Sequence, residues 1–307
     1  MQLQKTLAQR ISCEGIGLHR GEPVRLTIFP APANSGIRFI RADLPGRPMI
    51  RASYSQVVDT ALATTLGVPG ATISTVEHLL AALAGLGIDN ARVEVWGPEL
   101  PILDGSAAPF VRLLRRAGVR TLRAPRTYCV IHQALEVVEG DKAIRVEPAR
   151  EPCLSYAIDF PHPLIGRQQL SFRMRSEKFC REIAPARTFG FLKDVQALQA
   201  QGLALGGSLD NALVLTNADL LNPEGLRFTD EFVRHKILDF IGDLALWGWP
   251  LHGHVLVTKG SHALHHRFLE VLSQQPQAWR LSTPGWPSGT PAEPGLSTPA
   301  RLKLALA

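Results

Sequence analysis

At 307 residues, 45% hydrophobic and 20% charged, the chain has a globular balance with room for about two cores. No apolar run approaches the ~18 residues of a membrane helix, which excludes a helical membrane span. The net charge of +6 favours an anionic ligand, yet the basic residues are scattered and Tyr and Trp are sparse. A phosphorylated small molecule therefore fits at least as well as nucleic acid.

The opening stretch MQLQKTLAQRIS lacks the apolar segment of a signal peptide, so a cytoplasmic protein is expected. Short strands broken by glycine and proline follow: VRLTIFPAP, SGIRFIRADLPG and ARVEVWGPELPILDG. GIGLHRG, around His19, precedes the first of them and reads as a hairpin turn. Two helices have sharp start signals. One lies in STVEHLLAALAGLG, where Ser74 and Glu77 match the S-x-x-E capping box. The other is SAAPFVRLLRRAG, with Ser106 as cap and Gly118 as terminator.

After the basic link RAPRT a second set of strands begins: YCVIHQALEVVEG, KAIRVEPA, CLSYAIDFPHP and QQLSFRMR. Helices follow near Phe191 to Gly202 and from about Thr229 to Trp247. Strands then helices, twice over, predict two α+β domains joined near residues 123–127. His162, between prolines in FPHP, reads as a loop residue. KGSHALHHRF holds His262, His265 and His266, a cluster that reads as solvated and within which spacing does not choose. The final stretch is rich in Pro, Ser, Gly and Gln and reads as a mobile tail. The four cysteines, Cys13, Cys129, Cys153 and Cys180, lie far apart with no C-x-x-C pair, against both a thiolate metal site and a disulfide framework.

The helix FTDEFVRHKILDFIGDLALWGW places His235, Asp239 and Asp243 at i, i+4 and i+8, one stripe among apolar residues. A helix apolar nearly all round is buried, and buried charge needs a partner or a metal. His235 and Asp239 supply two zinc-type ligands, against the plainer reading of a helical ion pair. A third ligand must come from elsewhere, and His78 is the best candidate, with Glu77 beside it as the base for a metal-activated water.

Taken together, GIGLHRG, TISTVEHLLAALAGLGIDNARVEV, PILDGSAAPFV, ARTFGFLKD, QGLALGGSLDNALVL, GLRFTDEFVRHKILDFIGDL and HAL give the chain a resemblance. It resembles the UDP-3-O-acyl-N-acetylglucosamine deacetylase family of lipid A biosynthesis, through most of residues 1–272. The resemblance implies an α+β fold of two similar domains, each a small sheet with two helices, packed helix to helix. The boundaries would be 1–125 and 126–272, with a tail over 273–307. It implies Zn2+ held by His78, His235 and Asp239, with Glu77 as general base and His262 as general acid. It also implies Thr188 as the oxyanion-steadying hydroxyl and Asp243 as the carboxylate supporting His262. Lys236, Phe160, Lys142, Lys259 and Phe189 fall at substrate-binding positions. The acyl chain would lie in an apolar passage around Phe189 to Leu205. The family commonly has glycine directly before the acid histidine, where this chain has Gly260, Ser261, His262. The expected partner is a UDP-linked acylated glucosamine, with no nucleic acid and no membrane span, and the expected state is a monomer. A zinc hydrolase of another amide, or a nucleic-acid-binding protein with structural histidines, are the alternatives.

Overall fold

The structure is a computed structural model, and it describes residues 2–283. The first half opens with β1 (Leu3–Leu7) and the hairpin of β2 (Ile11–Ile16) and β3 (Pro23–Pro30). Strands β4 (Ile37–Arg41) and β5 (Met49–Arg51) precede a small meander of β6 (Val57–Asp59), β7 (Thr65–Val68) and β8 (Ala71–Ile73). Helix α1 (Glu77–Leu86), β9 (Ala91–Trp96), α2 (Ala108–Ala117) and β10 (Val119–Pro125) follow.

The second half begins with β11 (Tyr128–Ile131), β12 (Leu135–Glu139) and β13 (Lys142–Glu147). Next come β14 (Cys153–Phe160), β15 (Gly166–Arg173) and a single turn, α3 (Ser176–Lys178). An excursion of β16 (Phe189–Phe191), α4 (Leu192–Ala200) and β17 (Leu213–Leu215) leads to the long α5 (Glu231–Ala245). The last elements are β18 (Leu251–His252), β19 (His254–Thr258), α6 (His262–Gln274) and β20 (Trp279–Ser282).

Each half builds a five-stranded sheet on one plan, β2-β3-β9-β4-β5 and β12-β13-β19-β14-β15. In both, the central strand is parallel to one neighbour and antiparallel to the other. One helix precedes that strand (α1, α5) and another follows it (α2, α6). This is the paired α+β arrangement expected, and it makes α1 and α5 equivalent elements that pack against each other. The strands alternate as a one-faced sheet requires: Val24, Leu26 and Ile28 in β3, and Leu154, Tyr156 and Ile158 in β14, all turn inward. Helix α1 is buried on nearly every side, as a helix between two layers must be. Among the described residues no helix is long and apolar enough to cross a membrane.

Local patterns resolve at four places. Ser106 does not take the N-cap position of α2, which falls to Ala107, although its Oγ accepts the Ala108 N–H at 3.2 Å. The S-x-x-E capping box does not form: Ser74 Oγ pairs with Thr65 Oγ1 at 2.9 Å, and Val76 takes the N-cap position. Thr75, with φ of +57°, turns the chain between them. KGSHALHHRF is not a solvated cluster but the start of α6, capped by Ser261, whose Oγ accepts the Leu264 N–H at 3.3 Å. Within the expected tail, α6 continues to Gln274 and β20 pairs antiparallel with β11, its Trp279 edge-on to Trp247 at 5.2 Å. Those two tryptophans outweigh the local Pro/Gln composition. Residues 284–307 of the expected tail lie outside the described residues.

Candidate metal centre

Helix α5 begins at a buried ion pair. Arg187 donates from its backbone N–H and Nε to Glu231 Oε1, at 3.0 and 2.9 Å, and both side chains are sequestered. The clamp ties the segment before β16 to the first turn of α5. As a result the Ala186 carbonyl accepts Nδ1–H of His235 at 3.1 Å, which leaves the His235 Nε2 lone pair facing inward. Phe232, Ile237, Leu238 and Phe240 bury the rest of the helix. Each contributes about 1.5–3 kcal/mol relative to exposure, which offsets the several kcal/mol that burying a charge costs.

Asp239, one turn on, places Oδ1 3.2 Å from His235 Nε2 and 3.6 Å from Nε2 of His78. The two rings meet edge to face at 5.1 Å, and all three residues are only 3–4% exposed. Three ligand atoms at about 2.1 Å from one tetrahedral ion stand about 3.4 Å apart, so the donor set fits a single cation of the zinc type. Nδ1 of His78 is buried without a partner among the described residues. Lys236 Nζ occupies the other Asp239 oxygen at 2.7 Å. Burial pushes the Asp239 carboxyl up, but His235 and Lys236 outweigh it and hold the group well below the usual range.

Glu77 starts α1 and is 3% exposed. Its Oε2 accepts the backbone N–H of Thr64 at 3.1 Å. Burial raises its pKa, with His262 and His78 pulling the other way. On the far side, His262 donates Nδ1–H to Asp243 Oδ2 at 2.7 Å, and the Thr64 hydroxyl donates to Asp243 Oδ1 at 2.5 Å. Burial alone would push His262 down, yet Asp243 outweighs it and lifts the imidazole to about 9. The three histidines that spacing left open now separate. His265 is wholly buried on the same Asp243, and His266 bonds to the Tyr54 carbonyl through Nε2, at 3.0 Å. His262 alone keeps Nε2 without a partner among the described residues.

The expected substrate positions fall in two places. An aromatic row leads outward from His235: Phe189 lies 6.3 Å from its ring, and Phe160 lies 5.6 Å from Phe189. Thr188, half-buried, is fixed by its main chain to Gly105 and Leu213 beside this row. Lys142, Phe160 and Lys259 gather at one end of the second sheet, where Ala143 and Ala157 both pair with Thr258. Lys259 is held there by Asp141 and Asp159 at 2.9 and 3.1 Å. The loop after α4 closes onto the first hairpin through Leu205 N–H to the His19 carbonyl, at 3.1 Å. A cavity of about 1000 Å³ on other faces of α1 and α5, lined by Leu80, Phe240, Trp247 and Trp249, holds none of these residues. Sequence reasoning passed over Thr64, Arg187, Glu231 and the role of His265. None of these carried a local signal, because each meets its partner across a long stretch of chain.

A paired α+β scaffold with two imidazoles, a carboxylate, an adjacent glutamate and a partner histidine between its helices defines a metalloenzyme. Residues 4–274 match the LpxC family, UDP-3-O-acyl N-acetylglycosamine deacetylase. The chain belongs to that family. It is 52% identical over 278 residues to a UDP-3-O-acyl-N-acetylglucosamine deacetylase of Myxococcus xanthus, spanning 91% of this chain and 88% of that protein. It is 51% identical to the enzyme of that name from Anaeromyxobacter sp., spanning 91% of both chains. The Campylobacter concisus enzyme is 48% identical over 91% of this chain and 95% of its own.

Proposed function

We propose that the chain is a cytoplasmic, zinc-dependent hydrolase. It removes acetate from the 2-acetamido group of UDP-3-O-(3-hydroxyacyl)-N-acetylglucosamine, the committed step of lipid A biosynthesis. The observation that carries the reading is the convergence of His78, His235 and Asp239 within 4.8 Å, flanked by Glu77 and His262. Zinc held by those three residues would supply Lewis-acid polarisation of the amide carbonyl and a bound water of lowered pKa.

The chain's own groups do the rest. Glu77, held by the Thr64 N–H, accepts the proton of the attacking water. Protonated His262 donates a hydrogen bond to the oxygen as it becomes negative, and the Thr188 hydroxyl adds a second. The carbon–nitrogen bond then breaks, the amine nitrogen takes a proton from the Glu77–His262 pair, and acetate leaves. Lys142, Lys259 and the face of Phe160 bind the uridine diphosphate end, with Lys236 against the sugar. Phe189 and the loop to Leu205 take the acyl chain, in keeping with the exposed apolar side chains of Ile16, Leu205 and Leu209. Mass spectrometry of the substrate before and after incubation tests the proposal: loss of one acetyl group is expected, and an unchanged mass with zinc present overturns it.

A further inference from the structure

Asp243 sits at the centre of a second buried cluster. Besides His262 and Thr64, it receives Nδ1 of His265 on the same Oδ2, also at 2.7 Å. His265 lies one turn further along α6, is 1% exposed, and meets the Tyr156 hydroxyl of β14 through Nε2 at 3.2 Å. An ionised carboxylate only accepts, so His265 Nδ1 carries a proton. In the neutral ring Nε2 then accepts from the Tyr156 O–H. Every proton of the chain Tyr156–His265–Asp243–His262 is thereby placed.

We propose that His265 is a positioning residue: neutral, with its proton on Nδ1, it holds Asp243 turned toward His262, and Tyr156 fixes its tautomer. The inference rests on the deacetylase reading, since it concerns the group that serves the oxyanion and the leaving amine. Burial favours the neutral imidazole and keeps the Tyr156 phenol protonated. The same pair seats the start of α6. A Cβ on Gly260 would lie 2.4 Å from the Tyr156 hydroxyl and 2.7 Å from His265 Nε2, so the turn entering His262 runs directly against them.

Asp243, His262 and His265 also have the spacing of a metal group. Both Nδ1 atoms, however, stand at hydrogen-bond distance from one oxygen, closer than the roughly 3.4 Å between ligands around a tetrahedral ion. The arrangement also sets how much of the Asp243 charge reaches His262. Glu77, Asp239 and Asp243 face His262, while Asp243, His262, Lys236 and Tyr156 face His265. A second N–H on Oδ2 draws charge away from His262, so removing it moves the basic limb of the activity profile to higher pH.

Nitrogen-15 histidine NMR of the intact protein reads the tautomer directly. His265 is expected neutral with Nδ1–H across the pH range of activity; a protonated ring or an Nε2–H tautomer overturns the proposal. His265→Leu is expected to lower kcat roughly ten- to a hundredfold. KM and bound metal should hold while the basic limb rises. His265→Asn, whose amide N–H falls where Nδ1 was, should recover most of the loss. Unchanged kcat and pH profile in His265→Leu would sink the idea, and if that variant does not fold, the NMR result and the Asn variant decide. A wild-type protein that does not deacetylate overturns the deacetylase reading instead, and leaves the tautomer measurement intact.

Discussion

Gly242 of α5 lies against the main chain of Glu77: a Cβ on it would come within 2.1 Å of the Glu77 carbonyl oxygen. The closeness brings the start of α1, with Glu77 and His78, onto the His235–Asp239 turn of α5. Backbone cannot yield as a flexible side chain can, so Gly242→Ala must push the helices apart. Overpacking of this kind costs about 1–3 kcal/mol. The expected outcome is a lower Tm together with weaker metal retention, read by thermal unfolding and metal analysis on one sample. A variant with wild-type Tm and full metal would refute it.

His78→Ala and His235→Ala each remove one of the three proposed ligands, and each should lose both bound zinc and deacetylation. Chelation of the wild-type protein should abolish activity, and added zinc should restore it. Glu77→Ala, by contrast, should retain zinc while losing most turnover, because its carboxylate bonds to Thr64 and not to the metal group. Full zinc occupancy in either histidine variant rules out this ligand set.

How far the site was legible follows from distance along the chain. The stripe of His235, Asp239 and Asp243 could be read because helical periodicity places residues four apart on one face. His78 and Glu77 needed only a polar pair in an apolar helix. The S-x-x-E match at Ser74 forms no box, in keeping with a catalytic Glu77, because the serine finds the Thr65 hydroxyl of β7 and the chain turns at Thr75 before α1 begins. His265 was unreadable for a different reason: its partners, Tyr156 and Asp243, are 109 and 22 residues away. The Arg187–Glu231 clamp spans 44 residues. Two long-range partners turn a histidine that looks solvated into the most buried of its cluster.

The loop that closes onto the first hairpin at Leu205 and His19 bears on substrate choice. If Phe189 to Leu205 takes the acyl chain, removing the 3-O-acyl group should lower kcat/KM steeply. Each buried methylene contributes up to about 0.8 kcal/mol, close to a fourfold change. A series of shortened acyl chains should therefore fall in even steps until the passage is empty. Equal kcat/KM for acylated and non-acylated substrate would place the chain elsewhere.

The last prediction concerns the two proton carriers. Glu77 must be ionised to accept a proton, and burial has raised its pKa, so activity falls as pH drops through that raised value. His262 must be protonated to donate, and it stays so up to about 9, so activity falls again above that pH. The profile is a bell. Asp243 is what outweighs burial at His262, so Asp243→Asn should let the imidazole fall to or below its ordinary value near ~6.5. The basic limb then moves toward lower pH, narrowing the bell from that side, and metal content should hold because Asp243 lies outside the proposed ligand set. His262→Gln should remove this basic limb and cut turnover by about a hundredfold or more, as loss of a general acid does. A metal held by the proposed ligands would lower the pKa of its water, whose ionisation would give a limb common to both variants, an internal reference on the same curve. A basic limb that keeps its position in both Asp243→Asn and His262→Gln would mean that it belongs to that water, and His262 would lose its place as the acid.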